Sequence, residues 1–143
     1  MAICFDANRV GKWVCERGGG VWVDGNSTAI GIEKNGVLVG GVSYDNFNGA
    51  NIQLHLAGEG NWLNRQFMAI VFDYPFNQLK VNRITVGVCT SKKNVIDLAM
   101  HFGFVVEAKL SKATPEGDML ILSMFRENCK YLGEKYAALI RSP

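Results

Sequence analysis

The chain reads as an α/β (α+β) domain: a mixed central β-sheet with helices on both faces and a further helix at the C-terminus. Three observations predict this. Segments with the two-residue alternation of a strand succeed segments with the 3.6-residue periodicity of a helix. A strand near 82–90 is reached from the strand before it across an intervening helix, which demands a mixed sheet covered on both faces. The composition supplies one core: 143 residues, 48% hydrophobic and 20% charged, have the size and balance of a single globular domain spanning 1–143.

Taken in order, the elements are as follows. Asp6 can cap a helix near 7–17 in which Val10, Trp13 and Val14 recur at helical spacing, and Gly18-Gly19-Gly20 stops it. A loop rich in Gly, Asp, Asn and Ser leads to TAIGIEK and VLVGGVSY. These flank Asn35-Gly36, the dipeptide that most favours a type I′ turn, so they form a hairpin. ANIQLHL alternates Ile52, Leu54 and Leu56 against Asn51, Gln53 and His55, a strand with one apolar face. Asn61 can cap the next helix, where Leu63, Phe67, Ile70, Val71 and Tyr74 share a face, and Pro75 kinks or ends it. RITVGVC is a short apolar strand, KKNVIDLAMHF an amphipathic helix closed by Gly103, and FVVEAKL and DMLILSMF are two more strands. Cys129, Leu132, Tyr136 and Leu139 place an apolar stripe on a C-terminal helix.

Several classes of function recede at this point. No uncharged apolar run approaches the roughly 18 to 20 residues of a membrane span, and MAICFDANRVGK lacks the basic lead and apolar core of a secretory signal. A soluble, cytoplasmic protein is expected. Cys4, Cys15, Cys89 and Cys129 form no C-x-x-C pair and the two histidines do not cluster, so neither a metal site nor a disulfide framework is expected. The net charge of +2, without a block of five basic residues, points to no nucleic acid.

The stretch His55–Trp62, HLAGEGNW, joins a strand to a helix through two glycines one residue apart. One reading is an anion cradle, because glycine lets backbone amides approach a ligand and a helix start directs its N–H groups at the gap. The other is a plain turn, since Gly-x-Gly is common between a strand and a helix.

The strand that ends in His55-Leu56-Ala57-Gly58-Glu59-Gly60, followed by Asn61 and Trp62, is one of the chain's patterns; RITVGVC, Asn94, Gly103-Phe104 and Glu107, with Gly117-Asp118 opening the last strand, form the others. Together with the order of elements they resemble the GCN5-related N-acetyltransferases. The likeness is greatest to the ribosomal-protein N-terminal acetyltransferase-like branch and to short acetyltransferases of tailed-phage genomes. It covers roughly 27–126 and, more loosely, the whole chain. His55 departs from the Gln or Arg usual in that family.

The resemblance implies acetyl-coenzyme A as co-substrate, a primary amine as acceptor, and the host's cytoplasm as location were the gene a phage's; a homodimer is left open. It makes His55, Leu56, Gly58, Glu59, Gly60, Asn61, Trp62 and Asn94 the coenzyme-binding residues, with the pyrophosphate on the backbone amides of Gly58 to Trp62 and the pantetheine between the strands at 50–56 and 82–90. A β-carbon at Gly58 or Gly60 is then expected to block binding with the fold intact. The family's acidic Tyr falls on Ala99, and its usual Asn falls on Lys92, two residues before Asn94.

Read from the residues, His55 is the titratable candidate for general base, against a loop histidine that only bonds backbone. Cys89 is either a nucleophile or a small buried thiol. Glu59 is expected to point to solvent, where its charge would not repel a phosphate. Tyr44 and Asp45 stand near where an acceptor would enter, with solvated turn residues as the plainer account. Trp62 is expected to pack on a helix surface. A direct transfer enzyme is the leading reading; a non-catalytic binding protein of the same fold, such as a phage factor acting on a host protein, is its rival, and a plain domain without coenzyme is the third.

Overall fold

The computed structural model describes residues 1–18, 22, 23, 25 and 27–141. Among them the chain runs β1 (Ala2–Cys4), α1 (Ala7–Gly18), β2 (Thr28–Lys34), β3 (Val37–Asp45), β4 (Asn51–Gly58), α2 (Arg65–Asp73), β5 (Arg83–Cys89), α3 (Lys93–Phe102), β6 (Val105–Thr114), β7 (Gly117–Phe125) and α4 (Glu134–Arg141). The strands form one sheet in the order β1-β2-β3-β4-β5-β7-β6. β4 and β5 are parallel and every other neighbouring pair is antiparallel. The mixed sheet of the sequence reading is therefore present.

Local chemistry accounts for most elements. Asp6 accepts from the Arg9 N–H at 3.2 Å and starts α1. Of the expected glycine stop, Gly18 is the last helical residue; Gly19 and Gly20, with Asp24 and Asn26 of the loop, lie outside the described residues. Asn35 and Gly36 both have positive φ, 54° and 79°, as the type I′ turn requires. The first strand was not expected. β1 has three residues, too few to show a period, and it exists through its pairing with β2 from Ala2↔Glu33 to Cys4↔Gly31.

Helices cover the sheet unequally. On one face α1 packs Val10 and Val14 against Ala29, Leu38 and Ala57. On the other, Ile52, Leu54 and Leu56 of β4 meet α2 and α3 in the main core, where Phe67, Phe72, Phe76 and Phe102 bury fully or nearly so. Each such side chain is worth about 1.5 to 3 kcal/mol of transfer from water. Tyr131 stacks on Phe72 at 4.9 Å, and Gln66 ties α2 to α4 through the Leu139 carbonyl at 3.1 Å. Among the described residues no helix is long and apolar enough to cross a membrane.

Two helix boundaries differ from the sequence reading. Asn61 does not cap α2: the helix starts at Arg65, and Asn64 caps it by accepting from the Phe67 N–H at 3.0 Å. The intervening residues are irregular because Trp62 turns inward to the core. The C-terminal helix is also shorter than the stripe implied. It begins at Glu134, after Gly133 and a 3₁₀ turn at Arg126–Asn128, so Cys129 and Leu132 pack against the core from a non-helical segment.

Pro75 does end α2, and its effect reaches the sheet. The chain continues as a π-helical turn, Tyr74–Gln78. Lacking an N–H, Pro75 cannot give the Val71 carbonyl the partner four residues on. The Tyr44 hydroxyl donates to that carbonyl instead. Tyr44 is thus no solvated turn residue: it is 1% exposed, and burial holds its phenol well above the usual value. Tyr44→Phe removes this hydrogen bond to the buried carbonyl and is expected to cost about 0.5 to 1.5 kcal/mol, read as a lower urea midpoint; an unchanged midpoint would contradict the assignment.

Candidate functional site

The site begins where two strands stop pairing. β4 and β5 share register only at Asn51↔Arg83, Ile52↔Ile84 and Gln53↔Thr85. Beyond that, β4 stays with β3 as far as Gly58↔Gly40, while β5 stays with β7 as far as Cys89↔Met119. Each strand is held by its outer neighbour, and the inner edges diverge. The gap is a cleft of about 280 Å³ lined by Gln53, His55 and Leu56 on one side and by Gly87 and Cys89 on the other. Lys92, at the head of α3, and Thr114 and Glu116, at the β6–β7 turn, complete its walls.

His55 lies on the α1 side of the sheet and is mostly buried, and it has a partner. Its Nε2 is 3.0 Å from Asp45 Oδ2, with side-chain exposures of 14% and 21%. Ser43 stands opposite His55 and Asp45 opposite Gln53, so the pair is a diagonal contact across two antiparallel strands. Asp45 is therefore not a solvated turn residue. Its other oxygen, Oδ1, is buried and has no hydrogen-bond partner among the described residues.

The loop after β4 differs in detail from the expected cradle. Gly58 is still in the sheet, and the Glu59 N–H donates to the Val39 carbonyl at 2.8 Å. Among the described residues, the N–H groups of Gly60, Asn61, Trp62 and Leu63 donate to no protein acceptor. Gly60 has φ 64°. The row of free amides thus starts two residues later than the Gly58 to Trp62 span, and the helix start lies beyond it at Arg65. Glu59 is exposed, and Arg17 pairs with it at 2.8 Å, so its charge is largely balanced.

Trp62 is not on a helix surface. It is 5% exposed and sits edge to face with Phe67 at 6.0 Å. A β-carbon at Gly58 would stand 2.0 Å from its indole and one at Gly40 2.3 Å. Both glycines make room for Trp62 rather than for a ligand. The expectation that a side chain at 58 would spare the fold is corrected by this contact.

The second pattern also shifts. Asn94 is exposed on the first turn of α3, whereas Lys92 lines the cleft. Ala99 is fully buried in the main core. Cys89 is buried, with its Sγ 3.1 Å from Ser91 Oγ and 3.2 Å from Thr114 Oγ1; hydrogen bonds to Ser91 and then Thr114 hold its thiol below the ordinary value. The four cysteines are free thiols. Among the described residues no three His, Cys, Asp or Glu side chains are grouped to hold a metal ion.

Of the eight residues singled out in the sequence, the structure brings His55 and Leu56 into the cleft. It leaves Gly58 as the last residue of β4, Glu59, Gly60 and Asn61 beyond the strand's end, Trp62 in the core and Asn94 outside. Gln53, Lys92 and Thr114 were missed as parts of the site, and Asp45, placed near the acceptor's entry, was not foreseen as the partner of His55. Strand register would have found Asp45, but register is not written in either strand alone.

A scan against protein-family models finds no match, and a search of curated proteins finds none. Solved structures do match. A spermidine N-acetyltransferase from Vibrio cholerae in complex with CoA and spermine aligns with a TM-score of 0.64 at 19% identity, over 77% of this chain and 70% of that one. The N-acetyltransferase PseH of Campylobacter jejuni in complex with acetyl coenzyme A aligns at 0.56 and 18% identity, over 72% and 70%. The chain therefore has the fold of the GCN5-related N-acetyltransferases, a fold in which acetyl-coenzyme A or coenzyme A is bound in these neighbours.

The Trp62 contact generates a stability prediction. Gly58→Val is expected to destabilise the fold by about 1 to 3 kcal/mol through overpacking, and Trp62→Leu in the same chain to recover part of the loss. A Gly58→Val protein with the parent's urea midpoint would show that the indole is not confined there.

Proposed function

We propose that the protein is an acetyl-coenzyme A-dependent N-acetyltransferase that moves an acetyl group directly to a primary amine. The observation that carries this reading is the parting of β4 and β5 after three register pairs, with His55 inside the opening and free amides beyond the end of β4. An extended amide chain such as pantetheine suits two unpaired strand edges, because it offers them hydrogen-bonding groups at strand spacing. The amides of Gly60 to Leu63 suit a pyrophosphate, and Lys92 adds a positive charge to the cleft.

The chemistry needs a neutral amine and a polarised thioester carbonyl. In this reading His55 takes the proton of the acceptor, the amine nitrogen attacks the carbonyl carbon, and the carbon–sulfur bond breaks to release coenzyme A as the thiolate. Ala99 offers no acid, so the thiolate takes its proton from solvent. Positioning in a ternary complex supplies much of the rate. Cys89 is a wall of the cleft and carries no acetyl group. Finer parts of the reading rest on the sequence motifs: kinship with the ribosomal-protein N-terminal branch and short phage enzymes, a protein, peptide or small molecule as acceptor, residence in the cytoplasm, and a homodimer as the assembly to test for.

The buried Ala99, with no phenol at the usual place, favours a second reading: a protein of this fold that binds the coenzyme without turnover. Coenzyme A release separates the two. Acetyl-coenzyme A at 100 times its Kd is expected to add about 2.7 kcal/mol to the unfolding free energy, and release of free thiol is expected with at least one member of an amine panel that includes polyamines and peptide N-termini. Stabilisation without release for any amine would favour the binder, and no stabilisation would sink both readings.

In the enzyme, His55→Gln is expected to lower turnover by about 10² to 10⁴ with little change in coenzyme affinity. Cys89→Ser is expected to keep turnover within a few-fold. A Cys89→Ser protein that is inactive yet folded and coenzyme-bound would replace direct transfer with an acetyl-cysteine route.

A further inference from the structure

We propose that Asp45 is a positioning residue that holds the His55 imidazole with its hydrogen on Nε2, leaving Nδ1 as the basic nitrogen. This rests on the reading of His55 as the base. The geometry is the 3.0 Å contact between His55 Nε2 and Asp45 Oδ2. An ionised carboxylate has no proton to give, so Nε2 must carry the hydrogen and donate it. The lone pair is then on Nδ1. When Nδ1 accepts a proton, the carboxylate balances the positive charge of the ring.

A merely structural ion pair would be built differently. Asp45 Oδ1 is buried and unpartnered among the described residues, an arrangement that costs stability. Other carboxylates of the chain are paired with permanent cations, as Glu33 is with Arg9, Glu59 with Arg17 and Glu107 with Arg83. Asp45 is paired instead with the one histidine that lines the cleft.

The surroundings keep that charge directed at the ring. From α1, the Cys15 thiol is held above its ordinary value by burial and by the Asp45 charge, so it stays protonated and does not compete as an anion. Arg17, also on α1, is engaged by Glu59 and Glu16. Asn46 is turned away to Gln53 at 2.6 Å. The remaining titratable groups of the cleft are Cys89 from β5, Lys92 from α3 and Glu116 from the β6–β7 turn; the contact with His55 Nε2 comes from Asp45.

The test uses the full-length protein labelled with ¹⁵N. Long-range ¹H–¹⁵N spectra report which imidazole nitrogen is protonated, and with two histidines in the chain, His101→Gln assigns the signals. Above neutral pH the parent is expected to show His55 with Nε2–H and a bare Nδ1, and Asp45→Asn to lose that preference. In turnover, Asp45→Asn is expected to lower kcat about 10- to 100-fold with coenzyme affinity unchanged, and to cost nothing further in a His55→Gln background. A parent with the hydrogen on Nδ1 overturns the proposal without any variant. So does an Asp45→Asn protein that keeps both tautomer and kcat while His55→Gln is impaired. If His55→Gln itself keeps full turnover, the base reading falls and this proposal falls with it.

Discussion

Three backbone register pairs join β4 to β5, and what a ligand could use starts where they end. Sheets ordinarily pair their strands to the end, because every N–H and C=O left open at an inner edge costs hydrogen-bond free energy. Here the outer neighbours prevent closure: β3 holds β4 to Gly58 and β7 holds β5 to Cys89. α1 on one face and α2 with α3 on the other keep the two halves from sliding together. The opening is therefore a property of the whole sheet, and two unpaired edges facing one another are the part of the molecule most in need of a partner.

The site also depends on a bond distant from the cleft. Pro75 removes one donor from the end of α2, and Tyr44 supplies another from the penultimate position of β3. Asp45 is the next residue, and its side chain points the other way, as alternation along a strand requires. Anchoring Tyr44 in the core thus fixes the strand end from which Asp45 reaches His55. Helix termination, strand position and the orientation of the imidazole are linked through two consecutive side chains on opposite faces of one strand.

Much of the fold was legible in the sequence. Asn35-Gly36 marked its hairpin, Gly103 the end of α3, and the alternation of ANIQLHL both the strand and its apolar face, because each of these signals is local. The errors share a cause. Asn61 and Asn64 are equally good caps by composition, and the choice between them was made by Trp62, which seats itself over Gly40 and Gly58 and keeps the residues around it out of the helix. Lys92 rather than Asn94 lines the cleft because Lys92 stands at the N-terminal boundary of α3, just after β5, whereas Asn94 lies on the exposed side of the first helical turn.

The sequence by itself determined the class of the fold, the positions of the turns, the strand that carries His55 and the glycines that interrupt it, since periodicity, capping and φ preference act within a few residues. Only the tertiary structure decided that Gly58 serves Trp62, that the free amides begin at Gly60, and that His55 meets Asp45 ten residues earlier in the chain. Those outcomes depend on register and packing between segments that do not neighbour one another, and a one-residue slip of β3 on β4 would send Asp45 to the opposite face while leaving every local pattern unchanged.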